Sequence, residues 1–232
     1  MDIKGKTALV TGANRGLGRQ LAAQLRDRGA FVYAAARNPA TVDLPGVTPV
    51  ALDVTDPASV TAAAAAASGV AILINNAGSS TGASLLTGDL ADIRLEMDTH
   101  FFGTLAVIRA FAPQLAAHEH SAVLNILSAL SWLSFPTSGA YCAAKSSEWS
   151  LTNALRQELA PQGIRVSSLH VGYMDTDMTR GIDAPKSDPA VIAKAALDGI
   201  EAGDAEIIAD EVSKHVLAGL SAGVAGLYPQ VA

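Results

Sequence analysis

Short, continuously apolar segments alternate with longer helical patterns along the chain. The strand-like segments lie at residues 7–11, 31–36, 47–53, 71–75, 122–127, 165–171 and 206–209. Because they are apolar at consecutive positions, they are typical of strands covered on both faces in a parallel sheet. Helical patterns separate them at about 17–28, 57–68, 85–117, 139–160, 188–202 and 211–219. The sequence therefore predicts an α/β fold: one doubly wound domain over residues 1–232, with a seven-stranded parallel sheet flanked by helices.

Composition narrows the possible partners. Half of the 232 residues are hydrophobic and only 16% are charged, so we expect some apolar surface to be buried between subunits. The formal charge of −6 argues against nucleic acid as a main partner. Cys142 is the only cysteine, which excludes an intrachain disulfide, and no metal site is expected without a Cys/His cluster.

The sequence carries no signal for a membrane. No apolar segment reaches the ~18 residues that a membrane span needs, and the first predicted strand leaves no room for a leader peptide before it. We therefore expect a soluble, cytoplasmic protein without a membrane partner.

A glycine-rich loop joins the first predicted strand to the first predicted helix. Its residues are Gly12, Asn14, Arg15, Gly16, Leu17 and Gly18, with the glycines spaced G-x-x-x-G-x-G. Glycine permits close backbone approach, and a helix N-terminus presents unpaired N–H groups to a pyrophosphate. The loop is a candidate dinucleotide-binding site, although the common fingerprint is G-x-G-x-x-G and a simple turn is the alternative.

The residue after the second predicted strand indicates which dinucleotide would bind. A dinucleotide-binding fold usually places a carboxylate there for the ribose hydroxyls, but this chain has Arg37. Together with Arg15, it would offer guanidinium groups to the 2′-phosphate of NADP(H). Each such contact is worth roughly 1.5 to 3 kcal/mol, or about ten- to a hundredfold preference over NAD. A solvated surface arginine is the alternative.

Tyr141 and Lys145 indicate acid–base chemistry. On a helix, positions i and i+4 lie on the same face, so the Lys145 ammonium would lie near the Tyr141 phenol. A cation ~5 Å away at an effective dielectric constant of ~20 favours the phenolate by roughly 3 kcal/mol, or about two pKa units. We therefore expect a lowered pKa for Tyr141, within the range of an acid–base catalyst.

Four motifs, in this order, resemble those of the classical short-chain dehydrogenase/reductases. They are Thr11-Gly12 with Gly16 and Gly18, Asn75-Asn76-Ala77-Gly78, Ser128, and Tyr141 with Lys145. The resemblance covers essentially the entire chain and implies a Rossmann-type fold that binds NADP(H) and needs no metal. It also implies that Ser128 hydrogen-bonds the substrate carbonyl, Tyr141 donates a proton, and Lys145 lowers the tyrosine pKa and holds the nicotinamide ribose.

The same resemblance implies further cofactor contacts. Asp53 and Val54, at the end of the third predicted strand, match the family's adenine contact. The other implied contacts are Asn76, Ala77, Gly78, Tyr141, Lys145, Gly172 and Thr176.

Two positions depart from the family pattern. His100 stands where the family usually has an asparagine that organises a water-linked proton relay, and Val171 stands where a proline usually precedes the glycine. An imidazole at position 100 could hold the same water or shuttle protons itself. His100 is therefore a candidate catalytic residue, and a structural histidine is the alternative.

Two predicted loops offer an apolar, partly aromatic substrate pocket. The candidate pocket residues are Leu130, Trp132, Leu133, Tyr173 and Met178. They follow the fifth and sixth predicted strands, at the sheet edge where ligands bind in open parallel sheets. Packing of Trp132 and Phe135 in the core or between subunits is the alternative. Residues 176–187 are a candidate lid over the substrate.

These features predict NADPH-dependent reduction of a ketone or aldehyde to an alcohol, reversible as alcohol oxidation. The hydride would come from the nicotinamide and the proton from Tyr141. The expected substrates are small to medium apolar carbonyl compounds, or keto groups of larger molecules. Two alternatives remain: a catalytically weak NADP(H)-binding sensor or scaffold, suggested by His100 and Val171, and an epimerase or dehydratase that uses its cofactor transiently.

Overall fold

The computed structural model describes residues 1–230, and within them seven parallel strands form one sheet. The strands are β1 (Thr7–Thr11), β2 (Phe31–Ala36), β3 (Thr48–Ala51), β4 (Val70–Asn75), β5 (Ser121–Ile126), β6 (Ile164–His170) and β7 (Glu206–Ile208). Their order across the sheet is β3-β2-β1-β4-β5-β6-β7. The central strands β4 and β5 are buried at every position, as strands covered on both faces must be. The predicted doubly wound sheet is confirmed.

Helices cover both faces of this sheet. Over residues 1–230 they are α1 (Gly16–Asp27), α2 (Pro57–Ala66), α3 (Leu90–Met97), α4 (Thr104–Ala116), α5 (Gly139–Leu159), α6 (Pro189–Ala202), α7 (Glu211–Gly219) and α8 (Gly223–Leu227). The helices α1 and α6 bury their apolar sides against one face, and α2, α4 and α5 do so against the other. None of the helices in this part of the chain is both long enough and apolar enough to span a bilayer.

The helix predicted at 85–117 is wrong in its extent. Helix α3 begins only at Leu90, because the Asp89 side chain accepts a hydrogen bond from the Ala91 N–H and caps the helix there. A π-helical segment, Asp98–Gly103, then separates α3 from α4. This segment turns His100 into the protein interior, where the side chain is 1% exposed.

The chain reverses its direction of travel across the sheet between β1 and its neighbour β4. In a parallel sheet the carboxyl ends of the strands meet at one edge, and the reversal leaves a crevice there. The loops that follow β1, β4, β5 and β6 surround this crevice, and they hold most of the predicted site residues.

Candidate active site

The loop after β1 has a backbone shape that favours glycine. Gly12 and Gly16 adopt left-handed φ angles of 64° and 54°. A Cβ atom on Gly18 would lie 2.2 Å from the Gly12 carbonyl oxygen. From the loop after β4, the Asn76 side-chain amide donates to the carbonyl oxygens of Thr11 at 2.9 Å and Gly12 at 3.2 Å. These contacts fix the glycine loop against the loop after β4.

Helix α1 presents free N–H groups beside this loop. It begins at Gly16, its N-cap Arg15 makes no side-chain capping bond, and its first turn holds no acidic residue. Such a helix end attracts phosphate through its unpaired N–H groups and its dipole. Leu17 is buried in the core beneath, and Asn14 Nδ2 donates to Thr41 Oγ1 at 3.1 Å. The loop and the helix end together form a backbone cradle that fits a pyrophosphate.

The two arginines predicted to select the cofactor lie beside this cradle. The Ala13 N–H donates to the Ala35 carbonyl at 2.9 Å, which joins the glycine loop to the end of β2. Arg37, directly after β2, is exposed. Arg15 is also exposed, and its Nη1 lies 3.4 Å from Asp177 Oδ2 in the loop after β6. Both guanidinium groups are therefore accessible to an incoming phosphate.

The predicted adenine contacts follow a strand that is shorter than expected. Strand β3 ends at Ala51 rather than at residue 53, because the Asp53 carboxylate accepts the Thr55 N–H at 3.0 Å and turns the chain. Val54 packs against the π-helical segment, since a Cβ on Gly103 would lie 2.9 Å from its Cγ2. Both predicted contacts remain partly exposed.

The start of helix α5 brings Tyr141 and Lys145 to the end of β5. Lys145 Nζ lies 5.8 Å from the centroid of the Tyr141 ring, and it donates to the Ile126 carbonyl at 2.7 Å. Ser128 follows β5, where its hydroxyl accepts the Leu130 N–H at 3.1 Å and lies close enough to the Tyr141 phenol to lower the pKa of that group. The structure thus brings the serine, tyrosine and lysine predicted from sequence into one group.

The expected lowering of the Tyr141 pKa is wrong for this structure. Burial is the largest influence and raises the pKa of the phenol. The Lys145 ammonium lowers it, the carboxylates of Glu148 and Glu96 raise it, and the hydrogen bond from Ser128 lowers it, with a net increase. The sequence prediction considered only the positive charge of Lys145, whereas the structure also places the negative charges of Glu148 and Glu96 near the phenol and buries the phenol away from water.

The two carboxylates are site residues that the sequence prediction missed. Glu148 Oε2 accepts from Lys145 Nζ at 2.7 Å, and both side chains are buried. Burial alone would lower the pKa of Lys145, but the Glu148 carboxylate, the Tyr141 phenol and Glu96 raise it overall. The signal was present, because Glu148 lies three residues after Lys145 on the same helix and Glu96 lies four residues before His100.

His100 lies between these carboxylates and directly beside Tyr141. The two rings meet edge to face with centroids 5.3 Å apart. The ring of His100 also packs against the loop after β4, where a Cβ on Gly78 would lie 2.9 Å from its Cε1. In the same loop, the Ala77 N–H donates to Thr11 Oγ1 at 2.9 Å. The residue at the family's usual asparagine position is therefore part of the site.

The loop after β6 closes on itself and faces the glycine loop. The Ser187 N–H donates to the Tyr173 carbonyl at 2.8 Å, which closes the base of the loop. At its start, the Gly172 N–H donates to Asp210 Oδ2 at 2.7 Å. The Thr176 methyl group lies 3.3 Å from where a Cβ on Gly16 would be. This arrangement leaves a cleft of about 350 Å³ between the candidate lid and the cradle.

The predicted pocket residues divide into packed and exposed side chains. Trp132 is only 9% exposed and stacks on His170 with ring centroids 3.8 Å apart, as the alternative interpretation anticipated. Leu133 packs into the same cluster, together with residues of α7 and α8. Leu130 and Tyr173 are partly exposed and Met178 is 52% exposed. A substrate would therefore meet the loop after β6 and Leu130 more readily than Trp132.

Known proteins are similar to this chain in sequence and fold. The model of the short chain dehydrogenase family matches residues 6–187. A crystal structure of a short chain dehydrogenase from Burkholderia cenocepacia J2315 in complex with NADP is 36% identical, with a TM-score of 0.94, and the match covers 100% of this chain and 99% of that one. The D-erythrulose reductase of Gallus gallus is 32% identical over 186 residues, which are 78% of this chain and 76% of the relative. The 3-oxoacyl-acyl-carrier-protein reductase of Vibrio cholerae is 30% identical over 79% of each chain. Because the family match spans most of the chain, this protein belongs to the short-chain dehydrogenase/reductase family of oxidoreductases.

Proposed function

We propose that this protein reduces a ketone or aldehyde to an alcohol with NADPH and catalyses the reverse oxidation. The observation that carries the proposal is the grouping of Ser128, Tyr141 and Lys145 at the carboxyl edge of the sheet, beside the phosphate cradle. Reduction of a carbonyl builds negative charge on its oxygen, and two hydroxyl donors aimed at that oxygen stabilise the charge. The group has those two donors.

Each side chain has a defined task in this proposal. NADPH, held at the cradle of Gly12, Gly16 and Gly18, supplies the hydride when bound. The Ser128 hydroxyl donates a hydrogen bond to the substrate oxygen and orients the carbonyl. The Tyr141 phenol oxygen transfers its proton to the same oxygen, and the Lys145 ammonium offsets the charge that remains on the phenolate.

We assign the preference for NADPH to Arg37, with Arg15 as its partner. Both side chains are exposed beside the cradle, and no carboxylate follows β2 to bind the ribose hydroxyls. The NADP complex of the Burkholderia relative is consistent with this assignment. On binding, Arg15 would exchange its 3.4 Å contact with Asp177 for the 2′-phosphate.

The proposed substrates are small to medium apolar carbonyl compounds, or keto groups of larger molecules. The side chains that line the cleft are polar, so apolar contacts would come from Leu130, Tyr173 and Met178, which are at least partly exposed. The loop that carries Met178 would close over the substrate. One similar protein is named as a reductase of D-erythrulose and another as a reductase of a 3-oxoacyl group on acyl-carrier protein, so the names cover substrates of very different size.

We also propose that the whole chain acts as one cytoplasmic domain.

A homodimer or homotetramer is part of the proposal. Phe102 is 55% exposed in the π-helical segment just before α4, where Val54, Leu105 and Ala106 line an apolar groove beside it. Burial of this surface against a second copy would remove it from water. Size-exclusion chromatography with light scattering should give a mass of two or four chains, and a monomer would contradict the proposal.

The activity is tested by following NADPH absorbance against a panel of aldehydes, ketones and 3-keto esters. The wild-type protein should consume NADPH with at least one of these compounds, and Tyr141→Phe should lose most of that activity while it still binds NADPH. The expected loss is about 10²- to 10⁴-fold, the usual contribution of a positioned acid.

A sensor or scaffold is the second candidate, because Glu148 and burial keep the Tyr141 proton tightly bound. NADPH binding without turnover of any compound, and no effect of Tyr141→Phe, would favour that candidate.

A further inference from the structure

Four ionisable side chains form a buried cluster behind Tyr141. They come from three elements: Glu96 from α3, His100 from the π-helical segment, and Lys145 and Glu148 from α5. All four are nearly inaccessible to water, with exposures of 0%, 1%, 5% and 2% respectively. Besides the Tyr141 phenol, these are the titratable groups that face the His100 ring.

The contacts of His100 Nε2 show that this nitrogen carries a hydrogen. It lies 2.9 Å from the Ser79 carbonyl oxygen, which can only accept a hydrogen bond. It also lies 3.3 Å from Glu96 Oε2, another acceptor. The Ser79 N–H is at 3.3 Å and is the more distant of the two Ser79 groups. Nε2 is therefore the donor of the ring.

The opposite nitrogen of the same ring then faces a carboxylate. His100 Nδ1 lies 3.7 Å from Glu148 Oε2, and it has no hydrogen-bond partner among residues 1–230. If Nδ1 were unprotonated, its lone pair would face a buried negative charge. The cluster would also contain two negative carboxylates and only one positive group, the Lys145 ammonium. Its net negative charge would be buried, and an unpaired buried charge is strongly disfavoured. One proton on Nδ1 removes both conflicts.

We propose that His100 is an imidazolium clamped between Glu96 and Glu148, and that this cluster is a side-chain proton relay to Lys145. The relay begins at the partly exposed Ser79, whose hydroxyl donates to Glu96 Oε2 at 2.8 Å. It continues through His100 to Glu148, which contacts Lys145 Nζ at 2.7 Å. His100, Glu96 and Glu148 act through Lys145, so they are positioning residues rather than catalytic ones.

The proton balance of the relay is closed. After Tyr141 has given its proton to the substrate oxygen, the phenolate recovers one proton that originates from Lys145 Nζ. Nζ is reprotonated through Glu148 Oε2 from His100 Nδ1, which leaves a neutral ring with its hydrogen on Nε2. A half-turn of that ring brings the bare Nδ1 to Glu96, which passes it a proton taken from water through Ser79, and the reverse turn restores the starting arrangement. One proton enters from solvent and one appears on Tyr141, and every relay member returns to its starting state. This role rests on the proposed function, but the protonation of His100 does not.

Nuclear magnetic resonance of the protein without substrate tests the protonation directly. The ring nitrogens of His100 are identified in ¹⁵N-labelled protein by difference from His100→Asn. At about pH 8, where an unperturbed imidazole is mostly neutral, both nitrogens should show protonated-type shifts. Glu148→Gln should convert His100 to a ring protonated on Nε2 alone. A wild-type ring with one protonated nitrogen, or a ring unaffected by Glu148→Gln, would overturn the proposal.

A matched control uses the other buried histidine that has a carboxylate nearby. Glu206 Oε1 lies 3.2 Å from His170 Nε2, which makes no hydrogen bond with residues 1–230. Glu206→Gln removes a carboxylate beside a buried imidazole without touching the cluster. It should leave the His100 signals unchanged, and a change as large as that from Glu148→Gln would refute a specific effect of Glu148.

Kinetics then tests the relay in a carbonyl reduction. The variants His100→Asn and Glu148→Gln should each have a steady-state kcat that is lower by about tenfold or more at low buffer concentration. Their solvent isotope effect should differ from that of the wild-type protein, and added imidazole should restore part of the lost kcat. NADPH binding should be unchanged. Variants with wild-type kcat, pH profile and isotope effect would refute the relay. If the wild-type protein reduces none of the compounds, the proposed function fails, while the resonance experiment still decides the state of His100.

Discussion

Replacing Glu148 with glutamine should make Tyr141 a stronger acid in a His100→Asn background, where no charge on residue 100 can change with it. Glu148 Oε2 is 2.7 Å from Lys145 Nζ, and Nζ is 5.8 Å from the centre of the Tyr141 ring, so Oε2 is at most about 8.5 Å from that centre. At this limit and an effective dielectric constant of ~20, the carboxylate disfavours the phenolate by about 2 kcal/mol. Part of this decrease in the Tyr141 pKa is lost, because removal of the Glu148 charge also lowers the pKa of the Lys145 ammonium that stabilises the phenolate. A net lowering of the Tyr141 pKa is therefore expected.

Absorbance of the ionised phenol during a pH titration measures this change. The signal of Tyr141 is the difference between each protein and the same protein with Tyr141→Phe. Glu158→Gln is the matched control, because Glu158 is an exposed carboxylate on the same helix. It should leave the Tyr141 pKa within a few tenths of a unit. A Tyr141 pKa that is unchanged or higher in His100→Asn/Glu148→Gln than in His100→Asn would refute the charge-based explanation of the raised value.

Three further changes have expected outcomes. Arg37→Ala should reduce the NADPH-to-NADH preference in kcat/KM about ten- to a hundredfold, whereas Arg94→Ala on the exposed side of α3 should leave it unchanged; an equal loss in both would contradict the 2′-phosphate assignment. Gly18→Ala should abolish NADPH binding measured by fluorescence, because its Cβ would overlap the cradle backbone, whereas Gly181→Ala has open space and should bind normally. The buried ring of His170 has a pKa lowered to about 4, mainly by burial, so the unfolded chain binds its proton first as pH falls below the ordinary value of 6.5. The free energy of unfolding in urea should therefore decrease by about 2 kcal/mol from pH 7 to pH 5 through this residue alone, and His170→Gln should lack that part of the decrease.

The sheet could be predicted from sequence because its signals are local. Continuous apolar segments indicated all seven strands, and helices α2 and α6 each begin with an aspartate cap followed by proline. The helix predicted over 85–117 failed because its interruption depends on contacts with other elements. The Asp89 cap could have been recognised from sequence, but the π-helical segment is stabilised by its surroundings in the folded protein.

The grouping of the candidate catalytic residues could also be predicted, whereas its electrostatics could not. Ser128, Tyr141 and Lys145 are identified by their spacing and by the family resemblance, and the structure places them together. A helical spacing shows that Glu148 shares a face with Lys145, but it does not show whether that face meets water or the core. Only the packing of α3 against α5 brings Glu96 and Glu148 to the same histidine. The direction of the Tyr141 pKa depends on those distant charges, and it was wrong for that reason.

The interruption of the helix and the buried cluster have a common structural origin. In a π-helical turn the backbone accommodates an extra residue, which rotates the following side chains relative to a regular helix, and such turns occur frequently at functional sites. Here the turn contains His100 and places its ring against Glu96 and Glu148. It ends at Gly103, where a side chain would collide with Val54 at 2.9 Å. Gly103→Ala should therefore disturb the His100 ring without touching any ionisable group. If its His100 resonances matched those of the wild-type protein, the turn would not be what holds the ring in place.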